Sequence, residues 1–356
     1  MAIQSYALDP PRIGKFKGQI LKHAEAKERL GKTGRQMPMP RNQSDTIVCR
    51  RWLPYGATAT NASTQNQFFQ NANGDRSSAM VQANQIAEGV TPSPDSIQPV
   101  DITVVLVQYG CLYGFTDKTF YLYEDDIPKA MIEQIGERVT LVNEQIIYGA
   151  LKSCTNQYYG GSGTTVATVN GAITLGMVRK IVKNLNANHA EPMNRILKAS
   201  ADFDTSAIAE GYMVYVHTDM KPDIRDLPNF VPVEKYATGS AMPYEIGACE
   251  EFRFIGSPDL PSLQNAGAAI GSTGLYSTSN VNIDVYQFVV GAKDAWAQVA
   301  VRGLNAMDPT FLPPGEKTKA DPLGQRGYAG TSWWKAVMVE NPGWMAIGNV
   351  GIRTLT

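Results

Sequence analysis

From Leu53 to Pro99 only Asp75, Arg76, Glu88 and Asp95 are charged, and Asn, Gln, Ser, Thr and Ala dominate around the apolar pair Phe68-Phe69. A stretch of that composition cannot bury enough apolar surface to fold by itself. Strand-like sequence flanks it, Thr46 to Trp52 on one side and Ile102 to Gly110 on the other. The segment is therefore either a disordered linker or an extended arm completed by a neighbour, as open strand edges permit. The flanking strands favour a long hairpin projecting from a small sheet. At about 3.3 Å per residue it reaches several tens of ångströms, farther than a monomer needs.

The rest of the chain is ordinary globular sequence. Its 356 residues suggest two or three compact units, and 43% hydrophobic against 18% charged residues argues against wholesale disorder. No apolar run is long enough to span a membrane, and Met1 to Tyr6 lacks a secretory pattern, so no membrane partner is expected. Cys49, Cys111, Cys154 and Cys249 lie far apart, which disfavours a disulfide framework or zinc site and fits a reducing compartment. Charge is uneven: Met1 to Arg51 holds eleven Lys and Arg against four Asp and Glu, leaving 21 against 29 in the remainder. A basic arm of that kind contacts something acidic, such as nucleic acid or another subunit. The alternative is a solvated amphipathic helix, since Ile13, Phe16, Ile20, Leu21 and Leu30 recur at roughly helical spacing.

The clearest helix is expected from Ile127 to about Thr155, capped by Asp125 and Asp126, with Pro128 in its first turn. Met131, Ile135, Val139, Val142, Ile146 and Ala150 form its apolar stripe, and Gly160-Gly161-Ser162-Gly163 breaks the pattern beyond it. A second helix is expected over Leu175 to Leu185 behind a Thr174 cap, and strands at Gly211 to His217, Glu251 to Ile255, Val285 to Val290, Trp334 to Val339 and Trp344 to Arg353.

Motifs for chemistry are missing from the sequence: it holds no GxxxxGK loop, GxSxG elbow, HExxH helix or spaced Cys/His cluster. No catalytic, cofactor-binding or metal residue is assigned, and no cofactor is expected. Gly160 to Gly163 reads as a hinge rather than a phosphate cradle, because no Lys-Ser/Thr pair follows it. Of three histidines only His217, near Asp219, invites inspection for acid-base or metal work, and a structural histidine is the commoner case. Glu124-Asp125-Asp126 precedes a helix start, where negative charge is welcome anyway.

The order of parts resembles the major capsid proteins of tailed bacteriophages with the Hong Kong 97-type fold. Val107-Gln108-Tyr109-Gly110 with Phe115-Thr116-Asp117 carries the resemblance. So do Tyr244-Glu245-Ile246-Gly247 with Phe252-Arg253-Phe254-Ile255, and Asp321 to Gly327 ahead of Trp334-Lys335. The resemblance implies an α+β fold with an N-terminal arm (1–45), an E-loop (53–99) and a spine helix (127–155). It further implies an A-domain (160–291) and a P-domain built from 46–52, 100–159 and 292–356. It implies a subunit that assembles with itself, as hexamers and pentamers, into an icosahedral shell around double-stranded DNA, found in the virion and assembled in the host bacterial cytoplasm.

A separate scaffolding protein, a portal and a decoration protein are the partners it suggests, with non-specific contact to the packaged DNA. In that frame Phe68 and Phe69 anchor the E-loop on a neighbour. Arg12, Lys15, Lys17, Lys22, Lys27, Arg29, Lys32 and Arg35 form the basic arm, whose removal through Arg35 is expected to leave both domain cores folded. Some relatives join subunits by an isopeptide bond from an E-loop lysine, but 53–99 contains none. Two other readings stay open: a nanocompartment shell of the same fold enclosing an enzyme, and a hydrolase with an unrecognised site around His217 and Asp219.

Overall fold

The computed structural model describes residues 28–40, 44–57, 76–92, 94–123, 126–197, 205–236, 241–271, 273–301, 310–317, 319 and 321–355. Two sheets, one long helix and a two-stranded ribbon account for most of them. The large sheet runs in the order Gln157–Tyr159, Met345–Val350, Tyr286–Gly291, Thr205–His217, Phe252–Ser257, Glu245–Cys249, Phe230–Pro232, and Met193–Leu197 also pairs with Thr205–His217. Its inner strands alternate between faces, as a period of two requires. Tyr212, Val214 and Val216 face the second helix, Leu175–Ala187, through its Val178, Ile181 and Leu185. Met213 and Tyr215 face the other way, onto Ile147, Tyr148 and Leu151 of the long helix.

The small sheet is built on Arg326–Val339. Its outer half pairs with Val107–Thr116 and Thr310–Leu312, and its inner half with Trp296–Val301, which in turn pairs with Arg35–Met39. One face packs Cys111, Phe115, Ala329 and Trp333 under Met131, Ile135 and Val139 of the long helix. The opposite face packs Ala297, Val299, Ala336 and Met338 under Ile47, Cys49, Ile102 and Val104 of the ribbon, Thr46–Trp52 paired antiparallel with Pro99–Val105. One helical stripe therefore serves both sheets, its first half on the small one and its second half on the large one.

Local sequence explains where that helix starts, and tertiary contacts explain where it stops. The Asp126 carboxylate accepts from the Lys129 N–H at 3.2 Å, and Pro128 sits in the first turn. The helix spans Ile127–Leu151, about 37 Å at 1.5 Å per residue, and ends four residues before the expected Thr155. Cys154 turns into the core at 4% exposure, and the Asn156 amide donates to the carbonyls of Pro342 (3.2 Å) and Met345 (3.1 Å). These contacts peel the chain into the strand Gln157–Tyr159 before the glycines arrive. Gly161 adopts φ +71°, a conformation natural to glycine.

Other expectations need correction. The strand expected over 102–110 is two, broken at the buried Leu106, which changes sheets. The strand Met345–Val350, expected with the peripheral part, lies inside the large sheet between Gln157–Tyr159 and Tyr286–Gly291. Leu30 belongs to a single 3-10 turn, Leu30–Lys32, rather than to an amphipathic helix, and the rest of that stretch lies outside the described residues. A short helix, Arg76–Ala83, occupies part of the polar hairpin.

Candidate assembly surfaces

The root of the N-terminal arm is built into the core. Leu30 is fully buried among Ile147, Tyr148, Leu151, Tyr215 and Trp296. The two N–H groups that open its turn, Arg29 and Leu30, donate to the Glu144 carboxylate of the long helix at 3.0 and 3.2 Å, a cap supplied from another element. Ser257 approaches the same carboxylate at 3.4 Å. Glu144 is 1% exposed, and burial raises its pKa above the usual glutamate value despite the two N–H donors. Buried Gln298 donates to the Gly31 carbonyl at 2.6 Å, and Gly34 lies against Trp296, where a Cβ would come within 2.4 Å of the ring.

Of the eight arm cations singled out from the sequence, Arg29, Lys32 and Arg35 are described. The Arg29 guanidinium donates to the Gly256 carbonyl and stacks 4.3 Å from the Tyr244 ring, and Arg35 bridges to Glu340 at 2.6 Å. Lys32 lies 5.7 Å from the same tyrosine ring. Arg12, Lys15, Lys17, Lys22 and Lys27 lie outside the described residues.

The hairpin presents the opposite picture. Its stem buries one face on the small sheet and turns Val48 and Trp52 to solvent at 60% and 58% exposure, with the Arg50–Asp101 ion pair (2.7 Å) between them. Beyond the stem, Val81, Ile86, Val90 and Ile97 are 61–73% exposed. Sequence reading overlooked these four because they are scattered singly among polar residues, and only their lack of an internal pocket reveals them. Phe68 and Phe69 lie outside the described residues. A further apolar set, Tyr121, Leu122 and Leu323, stands 67–71% exposed. The Asp117 N–H to Gln325 carbonyl bond (2.8 Å) holds the helix bearing Tyr121 and Leu122 against the loop bearing Leu323.

The remaining sequence candidates are structural. His217 Nδ1 accepts from the Asp219 N–H at 3.1 Å, capping the 3-10 turn Thr218–Met220, and the Tyr286 hydroxyl donates to Asp219 at 3.2 Å. Cys111, Cys154 and Cys249 are buried free thiols, and burial raises the pKa of the last two. Among the described residues no His/Cys/Asp/Glu group is arranged to hold a metal, and no helix is long and apolar enough to cross a membrane.

Comparison with solved structures decides the architecture. The capsid of Ralstonia phage GP4 superposes over 98% of this chain and 97% of its own, with a TM-score of 0.62 at 9% identity. The chain has a tailed-phage capsid fold. The cyanophage Pam1 capsid (TM-score 0.59, 12% identity, 97% of each chain) and the head of Helicobacter pylori bacteriophage KHP40 (0.57, 10% identity, 99% and 98%) share it. In sequence, a major capsid protein of Pseudomonas phage KPP21 is 24% identical over 262 residues, 68% of this chain. The chain spans 65% of that relative's length. No protein-family model matches.

Proposed function

We propose that this chain is a phage major capsid protein that assembles with copies of itself into a closed icosahedral shell around double-stranded DNA. The observation that carries the reading is a capsid fold matched over nearly the whole chain, supported by the KPP21 relative. The role is structural, with the virion as its location and the host cytoplasm as the place of assembly. The large sheet with its helices corresponds to the axial A-domain. The small sheet, ribbon and first half of the spine helix correspond to the peripheral P-domain, and 53–99 to the E-loop. Scaffolding, portal and decoration proteins complete the proposed set of partners. The exposed aliphatics of the hairpin support the shell reading, since a monomer gains nothing from an arm that keeps four of them in water.

Electron microscopy of the expressed chain tests this: closed particles are expected, and only monomers or small rings would overturn it. DNA rather than an enzyme inside purified particles separates a phage shell from a nanocompartment. Because 53–99 has no lysine, particles boiled in detergent release a band near 38.8 kDa, whereas a covalent ladder would contradict the expected absence of E-loop isopeptide bonds. Phe68→Asp with Phe69→Asp is expected to block shells and leave the thermal transition of the free subunit unchanged.

A further inference from the structure

The parallel strands Thr205–His217 and Phe252–Ser257 end on the same edge of the large sheet, and two hollows open beside those ends. The smaller hollow, about 290 Å³, lies between Tyr244 and Ile246, the arm-root Arg29, and the short helix Lys221–Arg225. The larger, about 950 Å³, lies on the other side of that helix, against Tyr276 and the segment Ile352–Leu355. Lys221 and Arg225 line both.

The cations around these hollows divide sharply. Arg253 is bound to the buried Glu245 at 2.7 Å, and Arg353 bridges to Asp226 at 3.1 Å. Lys221 and Arg225 have no ion pair or side-chain hydrogen bond among the described residues, although four residues apart on one helix they share a face. Arg29 joins them: its guanidinium is fixed by the Gly256 carbonyl and the Tyr244 ring, and its buried Nε has no acceptor. Against these three cations the smaller hollow offers Glu234 and the already neutralised Glu245. A guanidinium held in place beside two unpaired, exposed cations suits a tetrahedral oxyanion. The continuation of the chain points to its source, because residues 1–27, which bear Arg12, Lys15, Lys17, Lys22 and Lys27, join the described protein next to Arg29.

We infer that Arg29, Lys221 and Arg225 form a phosphate site for the backbone of nucleic acid; the inference rests on the reading of the chain as a DNA-enclosing subunit. The site carries no sequence information, because phosphate contacts position without specifying bases.

The test uses the full-length unassembled chain with a labelled double-stranded 20-mer, read by anisotropy from 50 to 200 mM salt. Lys221→Ala with Arg225→Ala, both exposed, is expected to reduce the slope of log affinity against log salt by about one to two units and affinity roughly tenfold. Its circular dichroism and thermal transition should match wild type. An unchanged slope overturns the proposal. So does loss of inorganic phosphate binding alone, seen by phosphorus NMR, which would make this a free-anion site. Failed assembly with unchanged DNA binding overturns it too, by assigning the cations to a neighbouring subunit's carboxylates. Electron micrographs of the wild-type chain decide the shell reading separately, because closed particles there leave it standing whichever way the phosphate test falls.

Discussion

The arm root, Glu28 to Met39, and the outer hairpin, Met80 to Gln98, are both extended excursions from the core, yet they spend their apolar residues differently. The root places Leu30 at 0% exposure, lends a strand to the small sheet and has its opening N–H groups capped by Glu144. The hairpin holds Val81, Ile86, Val90 and Ile97 in water. The difference teaches that an extension's contribution to the single chain is set by whether its own subunit supplies the pocket. The root is packed into its own chain, and the hairpin aliphatics find no pocket among the described residues of theirs.

Truncation breaks the comparison most directly. The contrast to measure is the urea transition after removing 1–27 against that after removing 1–35. Removing 1–35 deletes Leu30, a residue type whose buried side chain is worth about 2–5 kcal/mol, and strands the Glu144 carboxylate. That corrects the expectation that deletion through Arg35 spares both cores, and equal transitions for the two truncations would contradict the correction.

A smaller effect is expected from Glu144→Ala, which leaves two N–H groups without their acceptor and costs about 1–3 kcal/mol. Because folding raises the Glu144 pKa, the folded state holds its proton more tightly than the unfolded chain. Its contribution is therefore fully present below the ordinary glutamate pKa and lost as pH rises through the raised value. Wild type should show this decline across that window and Glu144→Ala should lack it; parallel pH profiles would show that the carboxylate is not the titrating group.

Replacing Val81, Ile86, Val90 and Ile97 together by Ser should change monomer stability by no more than about 0.5 kcal/mol per site while reducing particle yield in electron micrographs. A large loss of monomer stability would place these residues in a pocket of their own chain. Least of all is expected from Asp101→Asn on the exposed ribbon face, where the Arg50 guanidinium holds the carboxyl below its usual pKa. Thermal melts should not distinguish this variant from wild type, and a clear shift would mean that the pair carries more than surface ion pairs usually do.

Periodicity and capping are local, so the sequence by itself determined the spine helix start at Asp126, the second helix behind Thr174, the buried central strands and the hairpin flanks. The resemblance carried by Tyr244 to Gly247, Phe252 to Ile255 and Asp321 to Gly327 pointed to the fold that the solved phage capsids share with this chain. Only tertiary structure decided what depends on distant partners. Asn156 stops the spine helix by gripping Pro342 and Met345, and Met345–Val350 enters the large sheet because its edges meet Gln157–Tyr159 and Tyr286–Gly291. The sequence shows Arg29 as one more arm cation. Its placement beside Lys221 and Arg225 follows from Glu144 and Gly256 holding the arm root at the sheet's edge, contacts 115 and 227 residues away along the chain. No local pattern encodes such separations, because each is fixed by packing that forms only when the whole core closes.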